Sequence, residues 1–119
     1  MFHKIIIVGR LGADPEQKYT ADGKAVTTFS VAASNRKDET TWFRVSTWDK
    51  QAETCNQYLH KGSKVLVEGA LKADAQGNPR VYQKKDGTWA ASFDVAAENV
   101  RFLSSRGEPE DAPAEVIPF

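Results

Sequence analysis

Hydrophobic and polar positions alternate with period two along most of this chain, and the alternation lays out a series of strands. His3 to Leu11 contains Ile5-Ile6-Ile7-Val8, an apolar, β-branched run that reads as a buried strand ended by Gly12. Asp14-Pro15 and Ala21-Asp22-Gly23 are turn signals, with a short paired stretch from Gln17 to Thr20 between them. From Ala25 to Ser34, Phe29, Val31 and Ala33 share one face while Thr28, Ser30 and Ala32 share the other, as in a half-buried strand. Asn35 to Thr40 is charged and lacks periodicity, so a loop is expected there. The third strand, Thr41 to Trp48, has Trp42, Arg44, Ser46 and Trp48 on one face and Phe43, Val45 and Thr47 on the other.

The period then changes. Ala52, Cys55 and Leu59 recur at helical spacing, Asp49 is placed to cap the N-terminus, and Lys61-Gly62 fits a helix stop. Lys64 to Lys72 returns to strand character, and Gln76-Gly77-Asn78-Pro79 is a polar turn. Arg80 to Lys85 and Thr88 to Leu103 flank Asp86-Gly87, a dipeptide that favours a two-residue hairpin turn. Such a turn pairs Lys84 with Trp89 and puts Tyr82, Lys84 and Trp89 on one face, which Arg80 continues. The expected fold is all-β: a five-stranded OB-fold barrel with one short helix between strands three and four and a long hairpin between strands four and five. From the pattern alone, an SH3-like barrel or small sandwich fits too.

Composition narrows the class. At 119 residues with 40% hydrophobic content, the chain suits one domain with a real core. Residues 1–104 are expected to form it, and residues 105–119, rich in Pro and acid, a disordered tail. The lone Cys55 excludes an internal disulfide, and with only His3 and His60 beside it no metal set is expected. No apolar run is long enough for secretion or membrane insertion, so a cytoplasmic protein is expected. All sixteen Lys and Arg lie within residues 1–106, against twelve of the sixteen Asp and Glu, so the body carries +4 and the last thirteen residues −4. A basic body with an acidic end points towards nucleic acid or protein partners. No P-loop, G-x-S-x-G, H-E-x-x-H or Cys–His arrangement is present, so neither catalysis nor a cofactor is expected.

Two clusters carry the candidate chemistry. Trp42, Arg44 and Trp48 share the strand face opposite Val45, an arrangement suited to stacking on nucleobases and pairing with phosphate. Core or subunit-interface tryptophans would give the same pattern. Tyr82 and Trp89 form the second aromatic pair, with cross-strand packing within the hairpin as their alternative role. Cations that can neutralise phosphates are Arg36, Lys37, Arg44, Lys50, Lys61, Lys64, Lys72, Arg80 and Lys84. The tail places Glu110, Asp111 and Glu115 before Ile117-Pro118-Phe119, an apolar terminus that can anchor in a pocket rimmed by basic residues.

Several segments resemble bacterial single-stranded-DNA-binding proteins, in the right order and through nearly the whole chain. They are Lys4 to Gly12 with Asp14-Pro15-Glu16, Gly23 to Val26 with Phe29 to Ala32, Thr41-Trp42-Phe43-Arg44-Val45, Tyr58 to Ser63, Val67-Glu68-Gly69, and the terminal Ile-Pro-Phe. The resemblance implies an OB-fold, usually a homotetramer, that binds single-stranded DNA with little sequence preference in replication, recombination and repair. It implies stacking by Trp42 and Trp48, phosphate contacts from Arg44, Lys50 and Lys61, and recruitment of replication and repair proteins by the tail. Tyr82 stands where relatives often have a Trp, and Phe43 at a position of subunit packing. The family's Trp just after the second strand has no counterpart in Ser34-Asn35-Arg36-Lys37. An OB-fold adaptor of a replication-restart complex and an RNA-binding OB protein are the competing expectations.

Overall fold

A computed structural model describes residues 1–103. Its elements are β1 (Ile5–Leu11), β2 (Glu16–Tyr19), β3 (Ala25–Arg36), β4 (Glu39–Trp48), α1 (Asp49–Tyr58), β5 (Lys64–Leu71), β6 (Arg80–Gln83) and β7 (Trp89–Phe102). Strands β1, β3, β4, β7 and β5 close into a barrel. β1 pairs with both β5 and the end of β3, and β4 runs parallel to β7 while the other pairs are antiparallel. This is the five-stranded OB-fold barrel expected from the sequence, with the short helix between its third and fourth strands.

The inward residues follow the alternation. Ile7, Leu11, Phe29, Val31, Val45, Val65, Val67 and Val95 form the core, joined by Cys55 of α1 and by Leu59, which caps the C-terminus of that helix. The helix is fastened there by Thr27, whose hydroxyl donates to the Ala52 carbonyl at 2.6 Å, while the Thr47 hydroxyl donates to the Thr27 carbonyl at 3.0 Å. Both threonines are fully buried, and these bonds satisfy hydroxyls that would otherwise be costly to bury. The strands also approach too closely at two points for any side chain. A Cβ on Gly9 would run into the Ala32 carbonyl oxygen, and one on Gly69 into that of Ala96.

Three local expectations are corrected. Asn35 to Thr40 is not a loop: β3 and β4 continue to an Arg36–Glu39 pair joined through Lys37 and Asp38, with Asp38 at φ 67°. An Asp tolerates this left-handed conformation, which lets a charged segment turn tightly. The cap residue of α1 is Trp48, without a side-chain cap bond, and Asp49 is the first helical residue. The third correction concerns hairpin register. Gln83 pairs with Trp89 and Tyr82 with Ala90, one position away from the pairing a two-residue turn would impose. The Lys84 N–H donates to the Thr88 carbonyl at 2.8 Å, so three residues, Lys85, Asp86 and Gly87, form the loop, with Gly87 at φ 89°. A glycine in the left-handed region at the third position is the usual ending of such loops. Asp86 reinforces it by accepting bonds from the Thr88 N–H and hydroxyl, which hold its carboxyl below the usual range.

Candidate nucleic-acid interface

The face of β4 turned away from the core carries Trp42, Arg44, Ser46 and Trp48, and β7 sets Asp94 beside Arg44 and Ala96 beside Ser46. The two indoles are six positions apart along the strand, about 20 Å at the rise of a β-strand. They therefore form two separate aromatic surfaces.

Trp42 is half exposed, at 52%. Its indole rests over Gly12: a Cβ there would lie 2.5 Å from the ring. Leu11 and Asp14, on either side of Gly12, tie this site to the loop after α1. The Gly62 N–H donates to the Leu11 carbonyl at 2.9 Å and the Lys61 N–H to Asp14 Oδ1 at 2.8 Å, which brings Lys61 to the Trp42 end of the face. Trp48 is partly buried, and Lys72 stands with its ammonium 5.5 Å from the indole centroid. A cation over an indole is worth about 0.5–1 kcal/mol when exposed, and it gives the ring a fixed neighbour.

The arm made by β6 and the start of β7 extends this face. Tyr82 is 40% exposed, with the Arg80 guanidinium 5.0 Å from its ring centroid, and Arg80 Nε donates to Asp94 Oδ2 at 2.9 Å. Lys84 lies on the same side by alternation. The observed register separates Trp89 from this group: it shares the opposite side of the arm with Val81 and Phe93, and all three are well exposed. The expectation that Tyr82 and Trp89 share a face is thus overturned by the one-residue shift, since each step along a strand reverses the side chain's direction. Phe43 belongs with that second surface, its ring centroid 5.7 Å from that of Phe93.

The remaining cations divide. Arg36 and Lys37 are exposed at the β3–β4 turn beyond Trp42, and Lys50 is exposed two residues after Trp48. Lys64 is 5% exposed, so it is not available as a surface phosphate contact. Glu110, Asp111, Glu115, Ile117, Pro118 and Phe119 lie outside the described residues. Sequence reasoning missed Asp94, the acid within this basic face, and Gly12 as the floor for Trp42. Only pairing between distant strands reveals either role, and no local pattern carries it. Cys55 is fully buried, and burial pushes its thiol up to about 11, so it stays protonated and inert.

Comparison with known proteins places the fold and this face in context. Residues 2–103 match the model of the Single-strand binding protein family. The chain is 38% identical over 114 residues to a single-stranded DNA-binding protein of Neisseria meningitidis, an alignment that covers 89% of this chain and 62% of that relative. It is 39% identical to one from Xanthomonas campestris pv. campestris, covering 89% and 63%. It is 36% identical over 101 residues to single-stranded DNA-binding protein 1 of Chlorobaculum tepidum, covering 78% and 62%. The chain spans just over three fifths of the length of these relatives. With a match that runs through the whole barrel, this chain belongs to the single-strand binding protein family.

Proposed function

We propose that the protein binds single-stranded DNA with little sequence preference, laying bases against Trp42, Trp48 and Tyr82 while Arg44, Lys72 and Arg80 meet the phosphates. The observation that carries this reading is the Trp42–Trp48 face, one exposed indole and one partly buried beside Lys72, on a basic strand surface outside the core. Stacking is indifferent to sequence because every base offers a π-face, at about 1–3 kcal/mol per base. Duplex DNA hides those faces, so preference for single strands follows. Lys61, Lys50, Arg36, Lys37 and Lys84 extend the phosphate contacts around the same surface. Trp89, on the opposite side of the arm, lies off this track.

Family membership supports roles in replication, recombination and repair, and supports assembly as a homotetramer. The exposed apolar surface formed by Val81, Trp89 and Phe93 is the kind that such an assembly covers. Recruitment of replication and repair proteins by Ile117-Pro118-Phe119 rests on the sequence of the tail.

Competition between oligo(dT), oligo(U) and a duplex of equal length tests the reading. Oligo(dT) is expected to displace a bound single strand while the duplex does not. Equal competition by the duplex contradicts it, stronger displacement by oligo(U) indicates an RNA-binding protein, and failure to bind any of the three favours an adaptor.

A further inference from the structure

An acid stands inside the basic face. Asp94 is paired in register with Arg44 across β4 and β7, and its carboxylate accepts from Arg80 through Oδ2 and from the Ser92 hydroxyl through Oδ1. Its side chain is 15% exposed, against 44% for Arg80, so it is a fixed group and not a solvated surface charge. Electrostatics alone makes a carboxylate here a cost, because it repels the phosphates that the neighbouring cations attract. Its geometry offers the compensation. The ion pair engages Nε of Arg80, and the N–H groups on the two terminal nitrogens take no part in it. The same guanidinium lies over the Tyr82 ring, 5.0 Å from its centroid. A free arginine side chain must give up rotamer freedom to be held in one pose. Here the ion pair and the ring hold the guanidinium without any ligand.

We propose that Asp94, itself held by Ser92, is a positioning residue that presets Arg80 against Tyr82, so that one nucleotide can stack and have its phosphate bound at the root of the arm. The proposal rests on the single-stranded DNA reading above and assigns Asp94 a role through Arg80, with no contact of its own to the strand.

Affinity for a labelled oligo(dT) is measured for the full chain as wild type, Asp94→Ala, Arg80→Ala and the double variant, with thermal unfolding of each checked in parallel. Arg80→Ala is expected to weaken binding about tenfold. Asp94→Ala is expected to weaken it about threefold although it makes the face more positive, and to tighten it once Arg80 is already gone. The same tightening in both backgrounds would show Asp94 to be only a repelling charge and would overturn the proposal. Ser92→Ala provides a second test that leaves net charge unchanged: weaker binding supports the role, and unaltered affinity contradicts it. A wild type that fails to bind oligo(dT) removes the underlying reading as well. That result is distinct from a wild type that binds while the two substitutions act independently.

Discussion

The indole of Trp42 lies over Gly12, so close that a single methyl group at position 12 would fall within 2.5 Å of the ring. Gly12 follows β1 and Trp42 lies near the start of β4, so they are distant in the chain, and the glycine sets where the indole can lie.

Gly12→Ala should therefore displace Trp42 without disturbing the core. The expected outcome is an affinity loss for oligo(dT) approaching that of Trp42→Ala, about 1–3 kcal/mol, with the unfolding midpoint little changed. Fluorescence titration alongside thermal unfolding checks both. Full affinity in Gly12→Ala would show that the placement of this indole is not needed.

Lys72 and Trp48 should act together. Lys72→Ala should lower the slope of log affinity against log salt by about 0.7, the value for one phosphate on a single strand. It should also loosen the Trp48 ring. Trp48→Ala should cost about 1–3 kcal/mol while leaving that slope nearly unaltered, because a stacking ring releases no counterions. Salt titrations of the two variants separate the contributions.

Trp89→Ala should leave oligo(dT) affinity within about twofold of wild type, since the hairpin register turns Trp89 away from Tyr82. If Trp89 is covered in an assembly, the same substitution should shift the oligomer distribution at micromolar concentration. Light scattering on the variant reads this directly.

Burial of Cys55 makes stability depend on pH at the alkaline end. Its thiol is pushed from 9.0 up to about 11 in the folded state. The unfolded chain gives up this proton first, so the contribution is complete below pH 9 and is lost as pH rises through 11. The expected difference between wild type and Cys55→Ala is a decline in relative stability of up to about 2–3 kcal/mol across that window. Denaturant titrations at pH 8 and 11 check the sign. Thiol alkylation should follow global unfolding only.

Gly69→Ala should be among the most damaging single changes, because the added methyl meets the Ala96 backbone where β5 and β7 close the barrel. A loss of about 3 kcal/mol or more is expected, since strand backbone cannot yield as a flexible side chain does.

The sequence made the barrel's inward and outward faces legible because period-two alternation is local. Phe43, Val45 and Thr47 turn inward or towards Phe93, and Trp42, Arg44 and Trp48 turn outward, as their spacing predicts. Barrel closure was legible only through resemblance, since pairing of β4 with β7 and of β1 with β5 joins residues far apart in the chain. The hairpin misled for a reason visible in Lys84-Lys85-Asp86-Gly87-Thr88. Asp-Gly suits a two-residue turn, and it suits equally the last two positions of a three-residue loop. In the second arrangement, the one observed, the side chain of Asp86 binds Thr88, and this register sets Trp89 on the other side of the arm. Asp94 owes its place in the basic face to no local pattern: Arg80, its ion-pair partner, and Arg44, its register neighbour, arrive from two other strands.

The account turns on bases lying against the indoles of Trp42 and Trp48. Its most direct test is fluorescence of the Trp89→Phe variant, in which only those two indoles emit, during titration with oligo(dT). Strong quenching that saturates with binding and reverses as salt is added is the expected result. Tight binding measured on labelled DNA with the emission of both tryptophans unchanged would contradict the account.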